Sequence, residues 1–217
     1  SAMKRATDSK TAAERWALPA KQARSQATRT RILRAAERCF AEAGYDGAHI
    51  SAIAKKAGCS VGAVYFRFKD KDALFFAIAE SFAAEIRASL PDMLAAGRSG
   101  RTDAIIGQFV ERAAASFRTY RGLFRATVER GLDNPPVMAV ILTIREEMAD
   151  TLHQALSPTF GTRDAIFMVQ MMTQIVYGFL LTGVLNPRAP TRIDDNRTLD
   201  ELKAILLAYI RQERRTT

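Results

Sequence analysis

The sequence predicts an all-α protein of about nine helices. Three observations carry that expectation. Apolar residues recur at three- and four-residue steps along most of the chain, the spacing of one helical face. Capping residues and stop glycines stand at the ends of those periodic stretches. No apolar–polar alternation runs long enough to pair as a sheet.

Residues 1–25 are small, basic and polar around Trp16 and Pro19 and read as a flexible basic arm, with Ser1 and Ala2 ahead of Met3 read as an expression scar. From Thr28 the pattern turns helical: Ile32, Ala35, Ala36, Cys39, Phe40 and Ala43 share a face, and Gly44 supplies a stop. A short second helix is expected from Ile50 to Ala57, ended by Gly58. Ser60 can cap a third from Val61 to Phe68, and Asp70 a fourth from Lys71 to about Leu90. Ile105, Ile106, Phe109, Val110, Ala113, Ala114 and Phe117 make the stripe of a fifth. A sixth spans about Leu123 to Gly131, and Pro135 and Pro136 open a seventh that reaches about Leu156. Residues 163–185 form the eighth, and Thr198 with Glu201 has capping-box spacing at the start of the ninth.

Charge is unevenly placed. The chain carries a net charge of +9, and residues 1–75 hold 15 Lys and Arg against 7 Asp and Glu, so nearly all the excess lies in the first third. A basic module on a near-neutral body points to a polyanion held at one end. The first thirty residues lack the apolar run of a secretory signal, and Cys39 and Cys59 sit in apolar patterns, which together imply a reduced, cytoplasmic protein. His49 and His153 have no metal-ligand or triad spacing, and no phosphate or dinucleotide fingerprint occurs. Neither an enzyme, a metal nor a cofactor is expected.

The stretch GCSVGAVYFRFKDKDAL, residues 58–74, holds the chemistry. Two helices joined by a tight glycine turn have helix-turn-helix spacing, whose second helix can enter the major groove. On that helix Val61, Val64 and Phe68 fall on a face that can bury. Gly62, Ala63, Phe66 and Arg67 face away, the two small residues allowing close approach to base edges. Tyr65 borders the faces, and Lys69, Lys71 and the free N–H groups of the fourth helix can meet phosphates. The run RTRILRAAERCFAEAGYDGAHISAIAKKAGCSVGAVYFRFKDKDALFFAIAE resembles the DNA-binding domain of the TetR family of bacterial transcriptional regulators over about a quarter of the chain. The resemblance implies a homodimer, usually a repressor, on a palindromic double-stranded operator, released by a small-molecule effector. Carried over by position, it implies phosphate contacts from Ser60, Tyr65, Lys69 and Lys71. It turns Val61, Gly62, Ala63, Phe66 and Arg67 toward the groove, with Ser51 reaching it from the second helix. His49 departs from the family's usual capping threonine, Arg67 from its frequent histidine or tyrosine, and Cys59 from its common valine.

The expected domains are an arm (1–25), a helix-turn-helix domain (26–73) and an effector-binding and dimerisation domain (74–217). Ala165 to Leu185 holds no charge in 21 positions, long enough to span a bilayer, but Gln170, Thr173, Gln174 and Tyr177 make a polar stripe that suits a buried helix, and no membrane is expected. That stripe, with Phe167, Met171 and Met138 as apolar walls and Arg125 and Glu129 as orienting charges, is the candidate site for a mostly apolar effector. Gly178, Thr182 and Gly183, with Leu202, Ile205, Leu206 and Tyr209 of the last helix, are the candidate dimer face. Two other functions fit less of the sequence: a sequence-independent DNA-coating protein using the basic arm, and a thiol redox sensor using Cys39 and Cys59.

Overall fold

A computed structural model describes residues 2–98, 101–131, 135–160, 162–186 and 188–216; the side chains of 2–21, 137, 158–160, 162–164 and 213–216 are outside the description. Ser1 and the side chains of Trp16 and Pro19 therefore lie outside the described residues. Among the described residues the chain is all helix: α1 (Ala2–Gly47), α2 (Ile50–Ala57), α3 (Val61–Tyr65), α4 (Lys71–Arg98), α5 (Thr102–Thr119), α6 (Arg121–Gly131), α7 (Pro135–Phe160), α8 (Thr162–Leu185) and α9 (Asn196–Thr216).

Local chemistry accounts for most boundaries. Gly44, at φ 73° and ψ 179°, interrupts α1 near its end, a conformation open to glycine and strained for other residues. Gly58 closes α2 with φ 64°. Its N–H donates to Lys55 O at 3.2 Å and that of Cys59 to Ala54 O at 3.0 Å, the paired bonds of a Schellman stop. Ser60 Oγ accepts from Ala63 N at 3.1 Å and Asp70 Oδ1 from Ala73 N at 2.8 Å, so both expected caps form. The seven stripe residues of α5 are all buried.

Four expectations need correction. Where a flexible arm is expected, the backbone of residues 2–25 is helical and belongs to α1, in a stretch rich in alanine, lysine and arginine, all strong helix formers. The third helix ends at Tyr65, and Arg67 and Phe68 both donate to Val64 O in a closing turn. The fourth helix passes through Pro91 to Arg98. Burial of Met93 and the backbone-close contact of Gly97 with Ala155 of α7 hold those turns despite the proline. The ninth helix starts at Asn196 and its cap is Asp195, which accepts from Arg197 N at 3.1 Å and from the Thr198 hydroxyl at 3.3 Å. Thr198 itself is buried inside the first turn, so the expected capping box does not form.

One continuous core runs from Ile32 and Phe40 of α1 through Leu74 and Phe75 of α4 to Phe109, Phe124, Ile144, Met172 and Leu206. The basic head therefore shares its packing with the body through α4 and α6. Among the described residues α8 is the one helix long and apolar enough to cross a membrane. Met168, Val169, Met172, Val176 and Leu180 sink one of its faces into this core.

Candidate nucleic-acid interface

Packing from behind presents α3 outward. Val64 is fully buried and Phe68 nearly so, which pins the helix against α1 and α2. Val61 does not join them as expected. It is 41% exposed, with Tyr65 at 54% and Phe66 at 83%, all around Gly62 on the free face. An aromatic ring left four-fifths in water has no role in this chain's core. Exposed Ser51, Lys55 and Lys69 flank the face, and no ion pair of Lys55 or Lys69 occurs among the described residues. Ser60 accepts with its oxygen and keeps a hydroxyl proton to donate. His49 occupies the N-cap of α2 without a side-chain bond, so the helix starts on backbone bonds alone.

Two cations expected at DNA are held by the fold. Lys71 Nζ donates to Tyr45 O at 2.6 Å and lies 4.5 Å from that ring's centre, closing the turn after α1. The same ring carries Arg130 on its surface at 4.8 Å, and its hydroxyl bonds to Asp72. Arg67 donates to Ala63 O at 3.0 Å and packs over the Phe66 ring at 5.5 Å, which turns its guanidinium back along α3. At the start of α4, the Ala73 N–H is already taken by Asp70. Lys55, Lys69, Ser60 and Tyr65 remain exposed, neither lysine in an ion pair among the described residues.

Helices α1 and α6 cap one another. Glu37 of α1 accepts from the first N–H groups of α6, those of Gly122 and of Leu123 at 2.9 Å, where helix geometry leaves donors without partners. In return Arg125 of α6 donates to Ala41 O at 3.0 Å and Glu42 O at 3.2 Å, while Glu129 pairs with Arg125 at 2.8 Å and accepts from Tyr45 N at 2.6 Å. Arg125 and Glu129 were expected to orient an effector; they clamp the end of α1 instead, because free carbonyls at a helix C-terminus attract a guanidinium. Burial pushes the Glu37 carboxyl up to about 7, opposed by its two backbone bonds. The folded state thus holds a proton that an unfolded carboxyl releases near pH 4.5. The stabilisation this brings is full below that value and is lost as pH rises through 7. From pH 5 to 8 the unfolding midpoint of the native protein is expected to fall by roughly 5 °C relative to Glu37→Gln, as measured by thermal melts.

A separate apolar chamber lies among α4 to α8. Phe82, Phe109, Phe117, Phe124, Ile144 and Met148 line it, with Arg145, Thr173 and Tyr177 at one side. Phe117 and Phe124 stack at 3.8 Å, and Tyr177 meets both edge-on. The cavity measures about 30 Å³, room for one or two waters. Of the expected effector residues only Thr173 and Tyr177 reach it. Gln170 and Gln174 line a larger outer groove of about 490 Å³ between α7 and α8. Phe167 and Met171 point outward, and Met138 packs on Gly131. The aromatic walls on α4, α5 and α6 were missed because a buried ring facing a small void reads in sequence as ordinary core.

The expected dimer residues also divide. Leu202 and Leu206 are buried in the monomer's own core, and Gly183 makes room for Ile193. A Cβ added at Gly178 would meet no other element within 4 Å, Thr182 is exposed, Tyr209 is half-buried, and Ile205 is 56% exposed. The large hydrophobics exposed among the described residues number eight: Val61, Tyr65 and Phe66 on and just after α3, and Ile166, Phe167, Met171, Leu185 and Ile205 on α8 and α9. Cys39 is buried and its thiol pKa is raised by that burial, the opposite of an activated thiol.

Residues 32–78 match the family model of bacterial regulatory proteins, tetR family. The chain is 53% identical over 53 residues to the HTH-type transcriptional repressor Rv1474c of Mycobacterium tuberculosis, covering 24% of this chain and 28% of that protein. It is 44% identical over 59 residues to the HTH-type transcriptional repressor AcnR of Corynebacterium efficiens, covering 27% and 31%. The match thus spans about three tenths of the length of these repressors. A longer and weaker likeness, 29% over 172 residues, covers 73% of this chain and 83% of the HTH-type transcriptional regulator UidR of Escherichia coli K12. In fold, the chain is similar to a TetR-family transcriptional regulator from Streptomyces coelicolor, with a TM-score of 0.68 at 21% identity over 89% of this chain and 95% of that one.

Proposed function

We propose that this chain, which carries the DNA-binding domain of the TetR family, is a ligand-responsive transcriptional repressor that binds a palindromic operator as a homodimer. The exposed hydrophobic side chains, concentrated on α3 and on α8 and α9, carry the reading. One group surrounds Gly62 on a helix presented by its neighbours beside unpaired lysines, the arrangement a major-groove reader needs. The other lies on α8 and α9, where a second copy would cover it. Two-fold pairing there would set two α3 faces on successive major grooves.

An effector entering the chamber between α4 and α8 would have to widen it. Phe124 stands in its wall, on the same helix that is capped by Glu37 and clamps α1 through Arg125. Displacement of α6 would be felt directly at the reading head, without a flexible relay. Light scattering tests the pairing: the native protein is expected at twice the 24.0 kDa of the chain, and the double variant Phe167→Glu/Ile205→Glu at the monomer mass. Footprinting tests the outcome on DNA, with two half-sites about one helical turn apart expected for the native protein. A monomeric native protein, or a single protected half-site, would contradict the proposal.

A further inference from the structure

We infer that the effector is a monocarboxylate with a flexible aliphatic tail, its head held by Arg145 and Thr173 at the chamber's mouth and its tail among the rings. The inference rests on the reading of the chain as an effector-responsive regulator and names the ligand class of that site. Thr173 is the first observation. A buried threonine in a helix ordinarily bonds back to the carbonyl four residues earlier, and buried Thr127 (2.8 Å) and Thr151 (3.0 Å) both do so here. Thr173 is 6% exposed, yet its Oγ1 has no hydrogen-bond partner among the described residues. The residue lines both the inner chamber and the outer groove, so its hydroxyl stands at the junction of the two.

Arg145 is the second observation. It too lines both spaces, and it is the one charged residue on the wall of the chamber. The neighbouring carboxylate of α7 is already paired: Arg87 reaches across from α4 to Glu147 at 2.7 Å. Arg145 instead has a neutral partner, Gln174 Oε1, at a long 3.5 Å, and the Tyr177 ring at 5.8 Å. A planar guanidinium with its fork uncommitted suits a carboxylate, and a hydroxyl beside it can donate to the same head. Glu146 and Asp150 also border the outer groove, but both are exposed and neither reaches the chamber. Beyond the mouth the walls are aromatic and aliphatic. A cavity of about 30 Å³ admits the end of a thin chain with modest displacement of Met148, a flexible side chain, whereas a rigid ring system would force the stacked Phe117 and Phe124 apart.

Calorimetry on the full chain, with sodium octanoate, octanamide and octylamine as probes, tests the assignment. Octanoate is expected to bind about tenfold or more tightly than octanamide, because a charged head strengthens the bonds to Arg145. Arg145→Gln should bring the octanoate-to-octanamide ratio close to one, and Arg145→Lys should keep part of it, which separates loss of charge from loss of fold. Thr173→Val should weaken octanoate severalfold. Equal binding of octanoate and octanamide, tighter binding of octylamine through Glu146 and Asp150, or no binding of any probe at millimolar concentration would overturn the inference. A mobility shift with DNA from upstream of the protein's own gene is run on the same preparation. DNA binding retained without octanoate binding removes only the ligand class, while its loss removes the regulator reading itself.

Discussion

Substituting Gly122 by alanine is expected to lower the unfolding midpoint by about 5–10 °C, although alanine is the better helix former by about 1 kcal/mol. The reason is the closeness of α1 to α6. A Cβ at position 122 would meet the backbone carbonyl of Glu37 and, at 2.8 Å, the backbone nitrogen of Ala41. Neither is the mobile end of a side chain, so the helices must part, and overpacking of this kind costs about 1–3 kcal/mol or more. Parting them also loosens the bonds from Glu37 to Gly122 and Leu123 and from Arg125 to the end of α1. Gly107 in α5 is the control, because a Cβ there meets nothing within 4 Å. Gly107→Ala should leave the midpoint unchanged or raise it slightly. A Gly122→Ala protein as stable as the native one would mean that the two helices do not meet as described.

Gly62→Leu is expected to show the opposite division: an unchanged melting curve with DNA affinity reduced by at least about a hundredfold. A Cβ at position 62 would meet only Ser60 Oγ within 4 Å, at 3.9 Å, ordinary contact, and the helix already has its Ser60 cap. The fold therefore tolerates a side chain. A base edge would not, since Gly62 lies between Val61 and the exposed rings of Tyr65 and Phe66 on the free face. Loss of a few base contacts, at roughly 1–3 kcal/mol each, gives a change of that size. Fluorescence anisotropy on native and variant protein checks it. Unaltered affinity would move the contact surface away from α3.

Much of the head was legible because its signals are local. Ser60, Asp70, Gly44 and Gly58 act on backbone groups within a few residues, so cap and stop chemistry placed the break in α1 at Gly44, the end of α2 and the starts of α3 and α4 closely, while the start of α1 and the ends of α3 and α4 carried no such signal. The stripe of α5 was legible for the same reason: a helix that buries one face repeats its apolar residues at a fixed step. What failed depended on partners far away in sequence. Lys71 read as a cation for phosphate and Arg125 as a charge orienting an effector with Glu129, and only the packing of α4 and α6 on the end of α1 shows the carbonyls that hold them. The polar stripe of α8 read as one surface, yet Thr173 and Tyr177 face the chamber while Gln174 faces the outer groove, a division set by where α5 and α7 lie. Leu202 and Leu206 show the same limit, since periodicity marks an apolar face without saying whether its own chain or a second copy covers it.

Competition binding at physiological salt tests most directly whether α3 and its surroundings read sequence. Labelled DNA from upstream of the protein's own gene is held by the native protein and challenged with unlabelled DNA of the same length, either identical or scrambled. The expected result is that the identical DNA displaces the label at a concentration at least about a hundredfold lower than the scrambled DNA, and that Lys69→Ala weakens both to a similar degree. Equal displacement by the two DNAs would contradict sequence-specific reading and leave only the attraction of a basic head for phosphate.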